Sequence, residues 1–173
     1  MDRPLVALVL AGGVGSRLYP ASRSDRPKQF LPLGDDRSLL AATLDRASFA
    51  DRIVVSTRES FADEVREHLE AADPDVPADV VVEPAGKDTG PALVYATHRV
   101  RELVGDCVVC VLPSDHYVGH AAAFAETLTR GAGVAAETGA LVTFGVDPTR
   151  PDTGYGYLEP GADRGDHREL AAF

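Results

Sequence analysis

Leu5-Val-Ala-Leu-Val-Leu10 runs directly into Ala11-Gly-Gly-Val-Gly-Ser-Arg-Leu-Tyr-Pro20, and Arg26-Pro-Lys-Gln-Phe30 follows shortly after. A short continuous apolar run closed by glycines reads as a strand buried on both faces. The glycine segment resembles two phosphate motifs and satisfies neither. Gly13-x-Gly15 is followed by Ser16, Arg17 and Leu18, so the third glycine of a G-x-G-x-x-G turn is missing, and Ser16 and Arg17 follow the glycines where a P-loop has Lys-Ser/Thr. Tyr19-Pro20 then discourages an immediate helix, because the residue before proline is pushed away from the α region. The segment is therefore a glycine loop that stays a loop.

Outward from that loop, apolar runs alternate with helical periodicity. Strands are expected at Leu5–Leu10, Arg52–Thr57, Asp79–Glu83, Cys107–Leu112 and Ala140–Val146. Helices are expected at Ser38–Arg46, Glu59–Ala72, Thr89–Val104 and Ala121–Thr138. Val65, Leu69 and Ala72 share one face of the second helix, and Leu93, Ala96, Val100 and Val104 share one face of the third. This alternation predicts an α/β fold, a mostly parallel sheet with helices on both faces. In such sheets ligands bind beyond the carboxyl ends of the strands. The segments Gly12–Gly15, Glu83–Gly90 and Pro113–His116 each follow a strand, so three loops distant in sequence converge on one edge. Tyr155-Gly-Tyr-Leu158 reads as one more short strand, and the polar stretch 161–173 as a poorly ordered tail.

The chain has 173 residues and a net charge of −10, enough for one domain with a real core. Dispersed acids without a basic patch argue against nucleic acid as a partner. No run of about 18 apolar residues suggests a membrane span, and the absence of a basic n-region with a cleavage site points to a cytoplasmic protein. Two lysines, Lys28 and Lys87, stand against fifteen arginines. Acidic excess with scarce lysine resembles the proteins of salt-loving microbes. An acidic protein that binds a polyanion must concentrate its cations, and Arg17, Arg23, Arg26 and Lys28 do so. Cys107 and Cys110 fall three apart on one expected strand, where side chains point to opposite faces. They are expected to be buried thiols rather than a disulfide or a metal pair.

The glycine loop lets backbone N–H groups approach an anion closely, while Arg17 and Lys28 supply one fork-shaped and one compact cation. That set suits the phosphates of a nucleoside triphosphate, with a bare strand-to-loop turn as the alternative for the glycines alone. The segment resembles the signature of the sugar-phosphate nucleotidyltransferases, L-A-G-G-x-G-x-R-L-x-P followed by P-K. Ser22-Arg-Ser-Asp-Arg-Pro-Lys-Gln-Phe30 resembles their mannose-1-phosphate guanylyltransferase branch. Glu83-Pro-Ala-Gly-Lys-Asp-Thr-Gly-Pro-Ala92, Leu112-Pro-Ser-Asp-His116 and the segment from Thr143 to Glu159 agree in order and spacing.

The resemblance implies a Rossmann-like three-layer fold over 1–173. It also implies attack by mannose 1-phosphate on the α-phosphorus of GTP, assisted by Mg²⁺. Arg17 and Lys28 take the catalytic roles, and Leu10, Ala11, Gly12, Gly13, Gly15 and Ser16 line the nucleotide. Glu83 or Asp88 reads the base, because a carboxylate is a bidentate acceptor for guanine's two N–H donors. Thr89 contacts the nucleotide or caps the next helix. Asp115 is the metal ligand or a turn-forming Asp, and His116 a supporting hydrogen bonder. Gly154, Tyr155 and Gly156 lie along the hexose or form a turn. The family has Asn and Ala where this chain has Asp88 and Gly90. The resemblance stops at Phe173, which implies a nucleotide-binding half with most of the acceptor half absent, expected to be crippled alone or completed by another subunit or a homo-oligomer. Alternatives are another sugar nucleotidyltransferase using UTP or dTTP, or a non-catalytic nucleotide-binding subunit.

Overall fold

The computed structural model describes residues 2–13, 22, 27–32 and 37–173. β1 (Leu5–Leu10), β2 (Arg52–Arg58), β3 (Ala78–Glu83) and β4 (Val108–Pro113) form one parallel sheet in the order β3-β2-β1-β4. The apolar opening run is thus an inner strand, which is why it carries no polar alternation. Its residues divide by parity. Leu5, Ala7 and Val9 meet Leu40 and Leu44, Val65 and Leu69, and Leu128 and Ala132 on one face. Val6 and Leu8 meet Ala96 and Val100 on the other.

Those partners identify the layers. Helices α1 (Leu39–Arg46), α2 (Ala62–Ala72) and α4 (Ala121–Thr138) cover the first face, and α3 (Thr89–Val104) covers the second. Each leucine or valine removed from water in this way contributes about 1.5–3 kcal/mol. Ser38 caps α1, its hydroxyl accepting from the Ala41 N–H at 3.1 Å. The helix expected from Glu59 begins as a 3-10 turn over Glu59–Phe61 and becomes α-helical at Ala62. Cys107 lies against the α3 face and Cys110 in the opposite cluster, and both thiols are free. Burial pushes the Cys110 thiol up to about 11. No described helix is long and apolar enough to cross a membrane.

Two expected strands are absent among the described residues. Residues 140–146 have no ladder partner. Val142 and Phe144 close over α4 at Gly131, where a Cβ would sit 2.5 Å from the Phe144 ring, and Leu141 and Val146 stay exposed. Alternating apolar residues suit a strand, but here they are held by a helix rather than by a neighbouring strand. Tyr155-Gly-Tyr-Leu158 is likewise not a strand: the Tyr157 hydroxyl and the Gly154 N–H both bond Asp152, closing a turn instead. Beyond it, β5 (Glu159–Asp163) and β6 (Arg168–Ala172) pair antiparallel, where composition had suggested a tail. The Gly165 N–H donates to Asp163 Oδ1 at 2.8 Å in the connecting turn, a local bond that polarity alone does not reveal.

Candidate active site

The carboxyl ends of the four strands finish nearly flush. Leu10 lies level with Ser56 and Pro113, and Arg58 with Glu83. The loops after β1, β3 and β4 therefore open on one edge, as the sequence predicts.

Ala11 organises the first loop. Its N–H donates to the Ser56 carbonyl at 2.8 Å. Its own carbonyl accepts from Gln29 Nε2 at 3.0 Å and from Thr57 Oγ1 at 3.1 Å. Gln29 is 1% exposed and Thr57 is fully buried, so both bonds form away from competing water. They fasten the Lys28–Phe30 turn to the start of the glycine loop. Lys28 is thereby aimed across the edge, and its ammonium contacts the Asp115 carboxylate. Asp115 follows β4, where the Ser114 N–H donates to the Leu10 carbonyl at 3.2 Å. Two candidates 87 residues apart thus meet, each with roughly a quarter of its side chain exposed.

The loop after β4 has a second anchor. Arg46 on α1 donates from Nη2 to the His116 carbonyl at 2.8 Å and to Thr43 Oγ1 at 2.8 Å. Burial lowers the pKa of Arg46, and neighbouring Asp45 opposes that shift. It is the carbonyl of His116, not a ring bond, that ties this residue into the site.

On the β3 side, Glu83 Oε1 accepts from Ser56 Oγ at 3.2 Å and lies 2.7 Å from where a Cβ on Gly12 would stand. Close approach of Glu83 is a concrete reason for glycine at position 12. Asp88 is exposed and has φ 65° and ψ −179°. That conformation is costly for a residue with a Cβ, of order 1–3 kcal/mol, and such strain clusters at functional sites. Thr89 opens α3 and does not cap it: the N-cap is Asp88, and no side chain bonds the first turn.

Gly15, Ser16 and Arg17 lie outside the described residues. Leu10, Ala11, Gly12, Gly13, Lys28, Glu83, Asp88, Thr89 and Asp115 lie on the common edge or in the loops that leave it. Gly154, Tyr155 and Gly156 do not join them through any described hydrogen bond. The Gly154 and Tyr155 N–H groups both bond Asp152, and Gly156 lies against the Phe173 ring. Sequence reasoning assigned no role to Gln29, Thr57, Arg46 or Arg58. Gln29 stood inside the quoted motif, and Arg58 at a strand's carboxyl end, which is itself a positional signal.

No group of three or more His, Cys, Asp or Glu gathers to hold a metal among the described residues. The Asp115 carboxylate, already facing one cation, suits a hard ion that takes one or two protein oxygens and draws the rest from phosphate and water.

The chain matches the family profile described as nucleotidyl transferase over residues 6–173. It is 42% identical over 166 residues to the xanthan biosynthesis protein XanB of Xanthomonas campestris pv. campestris (strain B100), an alignment covering 93% of this chain and 34% of that protein. It is 37% identical over 169 residues to a mannose-1-phosphate guanylyltransferase of Escherichia coli, covering 93% of this chain and 35% of that one. A solved structure from Thermus thermophilus, described as a mannose-1-phosphate geranyltransferase, superposes with a TM-score of 0.75 at 35% identity. The superposition covers 96% of this chain and 48% of that one. The chain thus spans about a third of the length of these curated relatives.

Proposed function

The chain belongs to the nucleotidyl transferase family, and on that footing we propose that it serves the transfer of GMP from GTP to mannose 1-phosphate, giving GDP-mannose and pyrophosphate. The observation that carries this reading is the meeting of Lys28 and Asp115 beside the glycine loop. A phosphate oxygen of the sugar phosphate attacks the α-phosphorus. The new P–O bond forms as the bond to the β-phosphate bridging oxygen breaks, and pyrophosphate leaves with that electron pair. No protein nucleophile is required. The protein aligns two polyanions and offsets the charge they bring together.

Lys28 is the α-phosphate cation in this reading. Its ammonium, in contact with the Asp115 carboxylate, would reach phosphate from the same position. Asp115 would hold a magnesium ion, which would neutralise phosphate charge when bound. Gln29 and Thr57 keep Lys28 and Ala11 in register through the Ala11 carbonyl. Arg17 takes the outer phosphates, Glu83 the guanine N–H donors, and Gly154–Gly156 the sugar.

Calorimetric titration of GTP, ATP, UTP and dTTP, each with and without Mg²⁺, tests the reading directly. Magnesium-dependent binding selective for GTP is the expected result. Equal affinity for all four, or none for any, would remove the base assignment or the site.

A further inference from the structure

We propose that Arg58 is a specificity-determining residue that donates to the O6 edge of the guanine whose N–H edge faces Glu83. The inference rests on the nucleotide reading above and adds the residue that would read the second edge. Arg58 ends β2 level with Glu83 on β3. Its stem passes Gly12, where a Cβ would lie 3.6 Å from Cγ. Its head lies against Gly86, where a Cβ would lie 2.9 Å from Cζ, 3.0 Å from Nε and 3.1 Å from Nη2. The side chain therefore bridges the β1 and β3 loops, and Gly86 leaves the space the guanidinium occupies.

One nitrogen of this guanidinium is short of an acceptor. Arg58 Nε is buried and has no hydrogen-bond partner among the described residues. Neighbouring Glu83 accepts from Ser56 instead of pairing with it. A buried donor left unsatisfied costs free energy, more so when charged. An acceptor that met the guanidinium, with a small turn of its head to bring Nε to the surface, would recover that cost. The acceptor must suit a place beside a carboxylate, which disfavours another anion and favours a neutral carbonyl. Guanine presents an O6 acceptor directly next to its N1–H and N2–H donors. Arg58 and Glu83 offer a donor and an acceptor in the same adjacency. Adenine inverts the pattern, setting its amino group against Arg58 and its N1 lone pair against the carboxylate.

The test compares GTP, 2-aminopurine riboside triphosphate, which keeps the N2 amine and lacks O6 and the N1 proton, and ITP, which keeps O6 and N1–H and lacks the amine. Calorimetry is run on the wild-type protein, Arg58→Gln, Arg58→Lys and Gly86→Ala, each checked for cooperative unfolding. Arg58→Gln is expected to weaken GTP by about 10- to 100-fold, the range for one hydrogen bond to a charged group. It should leave 2-aminopurine riboside triphosphate nearly unchanged, and the GTP-to-ITP ratio should persist because Glu83 reads the amine. Gly86→Ala should move in the same direction by displacing the head while leaving Arg58 in place. Equal losses for GTP and the 2-aminopurine nucleotide would assign Arg58 to phosphate and overturn the proposal, as would unchanged GTP affinity in both Arg58→Gln and Gly86→Ala. If the wild-type protein shows no preference for GTP, the functional reading itself falls and takes this inference with it.

Discussion

Replacing Gln29 and Thr57 together should cost more than the sum of replacing each. Both donate to the Ala11 carbonyl, at 3.0 and 3.1 Å, and Ala11 is 1% exposed. Gln29→Leu or Thr57→Val alone removes one net hydrogen bond, worth about 0.5–1.5 kcal/mol, while the other donor still satisfies the oxygen. Both substitutions are close in shape, so packing losses stay small. The double variant leaves a buried carbonyl with no described side-chain donor, adding a desolvation cost of about 1–3 kcal/mol. Urea denaturation of the four proteins in a double-mutant cycle reads the coupling, expected at about 1 kcal/mol or more. The double variant should also lose GTP affinity, because Lys28 is no longer held against the loop. Free energies that add to within about 0.5 kcal/mol would show that Ala11 is not the shared anchor.

Asp88→Gly should stabilise the fold by about 1 kcal/mol, by relieving a backbone conformation that suits glycine. If Asp88 contacts nucleotide, GTP affinity falls in the same variant, and paired urea and calorimetric titrations separate the two effects. Lys28→Ala and Asp115→Asn should each lower guanylyl transfer by about 100-fold or more in a pyrophosphate-release assay. Their unfolding free energy should change by less than about 1 kcal/mol, because the pair is partly exposed. Burial raises the Cys110 thiol from its ordinary 9.0 to about 11 in the folded protein. Its contribution to stability is complete below about pH 9 and is lost as pH rises from about 9 to about 11, because the unfolded thiol ionises first. Cys110→Ala should lack that loss, and a thiol reagent at neutral pH should label Cys110 only on unfolding.

The sheet was legible in the sequence because inner parallel strands leave an unmistakable apolar run, and β1 is the clearest case. Helices with one apolar face were equally plain, with α3 and α4 matching from end to end. Residues 140–146 misled because an apolar alternation states only that a segment has a buried face, not that another strand lies beside it. At the candidate site, charged residues beside prolines in the connecting loops stood out, as Lys28 and Asp115 did, and the structure brings that pair together. The supports did not. Gln29 and Thr57 act through a single carbonyl, and which carbonyl they reach is settled by the packing of β1 against β2. Arg58 was hidden by the abundance of arginine in this chain.

The charge balance yields a final expectation with an unusual sign. The chain carries a net charge of −10, and the Lys28–Asp115 pair adds no net charge to it. A triphosphate with about four negative charges, roughly 20 Å from the protein's centre of charge, meets a repulsion of about 8 kcal/mol in unscreened water. Screening at about 0.1 M salt, where the Debye length is about 10 Å, reduces this to about 1 kcal/mol. At about 0.01 M, with a Debye length near 30 Å, about 4 kcal/mol remains. The proposed contacts of Lys28 and Arg17 with phosphate would act over a few ångströms and would be far less sensitive to this change. GTP should therefore bind more tightly as salt rises from about 0.01 to about 0.1 M, opposite to the trend for a protein whose cations dominate at long range. Magnesium should flatten the trend by reducing the ligand's charge. Titrations across that range decide the matter, and affinity that falls steadily with added salt would mean that local cations, not the acidic surface, govern the approach of nucleotide.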